Sequence, residues 1–401
     1  MSARALTTVA YWCLVLQSCS PVQTDRSIAQ DDLDAHDYGH PDSVLFWTPE
    51  QQLAGFPNYE RLFETRTVSA SPKPLPLALD SADLSGVLYE VDGRTYDLEA
   101  FLEHNRVAGL LVLREGAIVL EEYRLGHGPE TTWVSYSVAK SVVSLLMGAA
   151  IHDGYVESVD ELVTTYLPSL RRTSYEGVTI RNVLQMSSGV EWNEDYTDPG
   201  ADVSLEIGLT TLERLRFLSS KRSLSPPGTR FNYNTGETHL VGAVLRAAIG
   251  NNLATYLTSQ IWQPFGMEHD ASWMLVEPAG AEHGGCCISA TLRDYGRIGL
   301  FALRGGTSSE GGMALPEGWM EASTTPSASN PGYGYLWWLG DGESYAARGI
   351  FGQAIFIDPS DATVIVTHSA WPTPTGTEFS AHRDALVAAL KRALDRNTAG
   401  N

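Results

Sequence analysis

The sequence predicts an α+β fold in which an antiparallel sheet, assembled from both ends of the chain and flanked by helices, is interrupted by an inserted all-helical domain. Three observations carry this reading. Apolar or alternating runs at 108–114 and 117–124 flank the turn pair Glu115-Gly116, as in a β-hairpin. Strand-like runs return only near the other end, at 345–348, 352–357 and 362–367, the last two joined by Asp358-Pro359-Ser360-Asp361. Between these ends, stretches such as ESVDELVTTYLPSL, TIRNVLQM and THLVGAVLRAAIG have helical spacing and are separated by Gly, Pro and Asp turns.

In chain order, residues 1–19 read as a leader: one arginine, then a mostly apolar run ending in small and polar residues, too short to span a membrane. Leu16-Gln17-Ser18-Cys19 resembles a bacterial lipobox, so Cys19 is the expected lipidation site and the chain is expected to be exported, to the periplasm or outer membrane, with a lipid anchor as its only membrane contact. Residues 20–84 lack sustained periodicity, but Phe46, Trp47, Phe56, Tyr59 and Phe63 suit an extended wrap held on a domain surface. Three prolines in SPKPLPLALD then break the chain. The sheet domain is expected from 85–154 and 283–401, closed by an amphipathic helix over 380–396, and the helical insertion from 155–282.

A chain of 401 residues exceeds the usual single-domain size, which suits two structural units or one domain with a large insertion. Its formal charge of −21 argues against phosphate-backbone partners, so nucleic acid is excluded as a ligand class. Beyond the leader the cysteines are the adjacent Cys286 and Cys287, read as buried thiols because a disulfide between neighbours needs a strained ring. Neither Cys-x-x-Cys nor His-Glu-x-x-His occurs, so no metal site is expected, and His36 and His40 among the aspartates of DDLDAHDYGHPD read as a solvated linker.

The chemistry concentrates in Ser137-Val138-Ala139-Lys140, at the start of the almost wholly apolar run 138–151. Residues three apart on a helix share a face, so the Lys140 amine can reach the Ser137 oxygen and, if burial keeps it partly neutral, take its proton. The helix N-terminus adds positive potential. The chain has four lysines, Lys73, Lys140, Lys221 and Lys391, and only Lys140 has a serine three residues before it inside such an apolar run. Taken alone, the tetrapeptide fits equally well a helix N-cap serine beside a lysine that reaches solvent.

Further motifs decide between these. Leu184-Gln-Met-Ser-Ser-Gly189, Pro227-Gly-Thr-Arg-Phe231 leading to Tyr233, Ile288-Ser-Ala-Thr-Leu-Arg-Asp294 and Gly349-Ile-Phe-Gly-Gln353 follow the dyad in an order that resembles the serine hydrolases that include class C β-lactamases and penicillin-binding proteins. The likeness covers about residues 85 to 395 and is nearest to the esterase and 6-aminohexanoate-dimer hydrolase branch. It implies a β-lactamase/transpeptidase-like fold, with Ser137 as nucleophile, Lys140 as base, Tyr233 as proton shuttle with a lowered pKa, and the backbone N–H groups of Ser137 and Ile350 as the oxyanion hole. The family's Tyr-x-Asn motif ends here in Thr235, and its Lys-Thr-Gly strand reads Ala347-Arg348-Gly349, where Gly349 lets a substrate approach closely. Thr235, Arg348, Gly349 and Trp338 of GYGYLWWLG are therefore candidate substrate contacts. The acid-rich loop EWNEDYTDPG reads as solvated, and Asp294 as capping or orienting the helix that begins near it rather than doing chemistry.

The function this implies is a serine hydrolase that acts on small esters or linear amides through an acyl-enzyme, without a cofactor. A β-lactamase or D-alanyl-D-alanine carboxypeptidase shares the machinery but is expected to keep the third motif's polar side chains. A non-catalytic envelope ligand-binding protein, or an unrelated lipoprotein with a chance dyad, would have no need of Ser137, Lys140 and Tyr233 together. The sequence leaves the oligomeric state and natural substrate open.

Overall fold

Six strands build the central sheet of the computed structural model, which describes residues 38–399, so the expected leader, Cys19 and His36 lie outside the described residues. They are β4 (Val107–Arg114), β5 (Ala117–Tyr123), β9 (Trp338–Leu339), β10 (Tyr345–Arg348), β11 (Ala354–Asp358) and β12 (Thr363–Ser369), in the order β5-β4-β12-β11-β10-β9 with antiparallel neighbours throughout. Glu115 and Gly116 join β4 to β5 with φ of 52° and 85°, the positive pair that a tight hairpin turn requires. Both faces of the sheet are covered, which is why β4 and β12 are buried along almost their whole length. Leu111, Leu113, Val364 and Val366 point into one core and Leu110, Val112 and Ile365 into the other, as the two-residue strand period dictates.

Four long helices matter for the site: α1 (Val138–His152), α2 (Thr235–Ile249), α3 (Leu292–Leu303) and α4 (Thr377–Ala399). The first three belong to the larger core. The terminal helix α4 covers the opposite face with Leu386, Leu390 and Leu394, beside the hairpin of β2 (Leu88–Val91) and β3 (Arg94–Asp97). None of the described helices is long and apolar enough to cross a membrane.

Two expectations need correction. Four short strands, β1 (Thr65–Val68), β6 (Thr132–Val134), β7 (Ala271–Met274) and β8 (Ile288–Thr291), form a second antiparallel sheet in the order β1-β7-β8-β6. The segment 155–282 is thus not all-helical, because its last strand pairs with β1 at one edge and β8 at the other. The wrap is not extended either: Pro41–Phe46, Pro49–Gly55, Phe56–Asn58 and Tyr59–Leu62 are successive helical turns. Prolines at first positions and a capping box between Thr48 and Gln51 start them. Trp47, Phe56 and Tyr59 anchor the wrap as expected, whereas Phe46 is 45% exposed. His40 is solvated as expected, its side chain 74% exposed, although its ring accepts the Asp42 N–H and its carbonyl accepts Trp47 Nε1–H.

Candidate active site

β6 delivers the chain to Ser137, the N-cap of α1. The approach is fixed from the second sheet, where Ser135 N–H donates to the Ile288 carbonyl and Ile288 N–H donates back to Ser135 Oγ, both at 2.8 Å. One turn on, Lys140 is buried, and its Nζ donates to Ser137 Oγ at 2.9 Å, Thr235 Oγ1 at 3.0 Å and the Gly285 carbonyl at 2.8 Å. All three acceptors are uncharged, and Lys140 makes no ion pair among the described residues. Burial therefore draws its pKa down to about 8, with Glu194 and Glu206 resisting from a distance. Thr235, a candidate substrate contact, is buried between Lys140 and Glu194.

Glu194 was invisible in a loop that reads as solvated. Its carboxylate accepts from Trp192 Nε1, from the Tyr196 hydroxyl at 2.7 Å, from Thr235 N–H at 2.9 Å and from Thr235 Oγ1. Burial pushes this carboxyl above the usual range, against Lys140 and these donors. The loop's other acids fit the solvated reading, with Asp195 and Asp198 exposed.

Tyr233 stands where the motif order placed it, but its pKa moves the other way. Burial and the Glu194 charge push the phenol above its ordinary value, and only a hydrogen bond to Ser137 draws it down. Lys140 Nζ sits over the ring face, 5.3 Å from the centroid, so the ammonium meets π electrons rather than the phenol oxygen. Trp338 stacks on the same ring at 5.6 Å and Tyr333 meets it edge-on at 6.3 Å. Trp337, by contrast, is plain core.

The opposite wall is the end of β10. A Cβ at Gly349 would lie 2.5 Å from the Ser135 carbonyl and 3.1 Å from Ser137 N, so only glycine lets this strand close on Ser137. Gly349 N–H is committed to the Gln353 carbonyl and Phe351 N–H to Pro374, with Ile350 between them. The residues flanking the expected oxyanion donors are both left-handed, Tyr136 at φ 44° and Phe351 at φ 59°. Such backbone persists only where its surroundings impose it. Phe56 of the wrap packs on both rings, at 5.3 Å and 5.4 Å, and the two rings touch each other at 5.2 Å.

Two cavities meet at Ser137. The larger, about 490 Å³, is bordered by Tyr233, Trp338, Gly349, Ile350 and two arginines, Arg348 and Arg383 of α4. The smaller, about 190 Å³, runs past Tyr136, Ile350 and Thr235 toward Glu206 and His283. Arg348 and Arg383 share one carboxylate, Asp384, at 3.9 Å and 3.0 Å, and the lining of the same cavity also carries Glu194 and Asp195.

The sequence pattern of the β-lactamase family matches residues 98–390. The chain belongs to that family. Over 326 residues it is 28% identical to the 6-aminohexanoate-dimer hydrolase of Paenarthrobacter ureafaciens, covering 75% of this chain and 82% of that one. The structure also resembles a candidate 6-aminohexanoate-dimer hydrolase of Bacillus anthracis, with TM-score 0.78, 21% identity, and 86% and 95% of the two chains covered. A penicillin-binding protein homologue of Caulobacter crescentus shares the fold with TM-score 0.57 and 18% identity, over 71% of this chain and 92% of that one. This β-lactamase-family protein is a serine hydrolase of the kind that includes 6-aminohexanoate-dimer hydrolases.

In this hydrolase some site residues left no sequence signal. Gly285 supplies a Lys140 acceptor, and its N–H donates to His283 Nδ1 at 3.1 Å. Burial draws His283 down to about 4, and its Nε2 lies 3.7 Å from Glu206. Burial would raise the Glu206 carboxyl, yet Arg214 at 2.7 Å, His283 and His239 hold it at about 2. Cys286 and Cys287, expected as separate thiols, are joined as a disulfide, the turn after His283 setting both side chains together. Asp294 does more than cap: Thr291 is the N-cap, and Asp294 accepts from Glu268 N–H, His269 N–H and Arg297.

Proposed function

We propose that the protein hydrolyses small esters or linear amides through an acyl-enzyme on Ser137. The observation that carries this is the Lys140 amine, buried, held at 2.9 Å from Ser137 Oγ and left without a carboxylate partner among the described residues. As a neutral amine it accepts the Ser137 proton while Oγ bonds to the substrate carbonyl carbon. The amides of Ser137 and Ile350 take the negative oxygen of the tetrahedral intermediate. Tyr233, protonated because its pKa is raised, hands its proton to the leaving oxygen or nitrogen, while Lys140 keeps the proton taken from Ser137. Water then attacks the acyl carbon as it gives a proton to the Tyr233 phenolate, and Lys140 returns its proton to Ser137 Oγ as the acyl bond breaks.

Arg348 and Arg383 favour a leaving group that ends in a carboxylate, as in a linear amide dimer, while a bulky bicyclic lactam meets Arg348 where its family expects a compact threonine. The leader adds that the enzyme works outside the cytoplasm, anchored through Cys19; a mature N-terminus beyond Cys19 in mass spectrometry would refute this. Kinetics on p-nitrophenyl butyrate, 6-aminohexanoate linear dimer and nitrocefin with one preparation test the reaction. Ester turnover is expected to be fastest, the dimer intermediate and nitrocefin slow or absent. Efficient nitrocefin turnover with negligible ester turnover would reverse the assignment.

A further inference from the structure

We infer that the smaller cavity is the acyl-binding site, that the N-terminal wrap sets its specificity, and that it takes a short, uncharged aliphatic acyl group. This rests on the acyl-enzyme reading above. Tyr233 borders the larger cavity and not the smaller, whereas Ser137 and Ile350 border both. A leaving group that takes its proton from Tyr233 lies on the Tyr233 side, so the acyl group, on the other side of the scissile bond, extends into the 190 Å³ cavity.

The lining of that cavity states the class. Val44, Leu45, Tyr59 and Phe63 of the wrap form one wall, and Ile207 and Met274 face them. The four wrap residues precede residue 98, where the family match begins, so this wall lies outside the matched segment. Buried charge on the lining cancels. Glu206 and Arg214 are each 3% exposed and paired at 2.7 Å, and His283 is neutral above its lowered pKa of about 4. The remaining acid, Asp42, is 76% exposed beside His40. An alkyl chain leaving water for this lining gains the transfer free energy of each methylene, while a terminal ammonium would lose its hydration and meet no buried carboxylate that is not already paired, Asp42 being exposed.

The test is a series of p-nitrophenyl esters, acetate through hexanoate, and the ratio of kcat/KM between chain lengths, which does not depend on how much of a preparation is folded. For the natural sequence kcat/KM is expected to climb about fourfold per methylene until the cavity fills. Leu45→Phe narrows the cavity and is expected to lower the hexanoate-to-acetate ratio at least tenfold, and Ile207→Ala to raise it. The p-nitrophenyl ester of 6-aminohexanoate is expected to react at least tenfold more slowly than hexanoate. A ratio unmoved by both substitutions, or an aminohexanoyl ester equal to hexanoate, overturns the inference while leaving the hydrolase reading intact. Absence of turnover with every ester would defeat that reading and the inference with it.

Discussion

Two buried cations, Lys140 and Arg214, have opposite surroundings. At the start of α1, Lys140 spends its hydrogen bonds on a hydroxyl of Ser137, a hydroxyl of Thr235 and a carbonyl of Gly285, and its pKa falls to about 8. In the segment between β6 and β8, Arg214 is paired directly with Glu206 at 2.7 Å, and the carboxyl is held at about 2. Both side chains are almost completely buried, so burial alone does not separate them. What separates them is the partner. A cation given neutral acceptors is poised to lose a proton, whereas one given a carboxylate serves to fill and neutralise a buried position. Lys140 is thus set apart by the lack of a counter-charge beside it among the described residues.

The sharpest way to break this comparison is to replace each cation by methionine. Lys140→Met should lower turnover by roughly four orders of magnitude or more, and combining it with Ser137→Ala should add little, because members of one catalytic unit are not additive. The same substitution should leave the fold as stable or more stable at neutral pH. The sign follows from the folded pKa lying below the unfolded value of 10.5: the folded state bears a desolvated charge below pH 8, and that cost is relieved as pH rises from about 8 to 10.5. Urea unfolding of both proteins across that range checks it. Arg214→Met should do the reverse, costing about 3–5 kcal/mol of stability by leaving Glu206 buried and unpaired, with much of the loss recovered in Arg214→Met/Glu206→Gln. A mild loss in the single variant would mean that the ion pair is not what holds this region.

Tyr233→Phe sharpens the picture of the proton path. Loss of the hydroxyl should cost about two orders of magnitude in kcat with little change in KM, since the ring, its stacking on Trp338 and its face toward Lys140 remain. Equal turnover in the two proteins across pH would make the tyrosine structural. The smallest expected effect tests how distant charge tunes the base. In the natural sequence kcat/KM should rise with pH as Lys140 deprotonates near pH 8. Glu194 favours the ammonium from behind Thr235, so Glu194→Gln should move that limb to lower pH; an unmoved limb would uncouple Glu194 from Lys140.

The same contrast explains what sequence reading could reach. Ser137 and Lys140 were legible because their relation is local: a three-residue spacing inside an apolar run forces both onto one buried face. The central hairpin was legible for a similar reason, in that Glu115-Gly116 and its flanking alternation lie within one short window. Glu194 was not, because its enclosure depends on Thr235, 41 positions away, and on Trp192 and Tyr196. Two aromatic donors at alternate positions around one acid are the only local hint that EWNEDY offers. The second sheet escaped because its strands have three or four residues and pair across long separations, as in Thr65 with Met274. The direction of the Tyr233 shift is not legible in the motif, because it depends on the burial of the phenol and on the Glu194 charge.

The claim that most needs testing is that Ser137 becomes acylated with Lys140 as its base. A slowly released ester or a fluorophosphonate, mixed with enzyme and followed by intact mass and peptide mapping, addresses it directly. The expected result is one acyl or phosphonyl adduct per chain on the peptide bearing Ser137, formed faster as pH rises toward 8 and nearly abolished in Lys140→Met. A full-rate adduct in Lys140→Met, or an adduct on any peptide other than that of Ser137, would contradict the account.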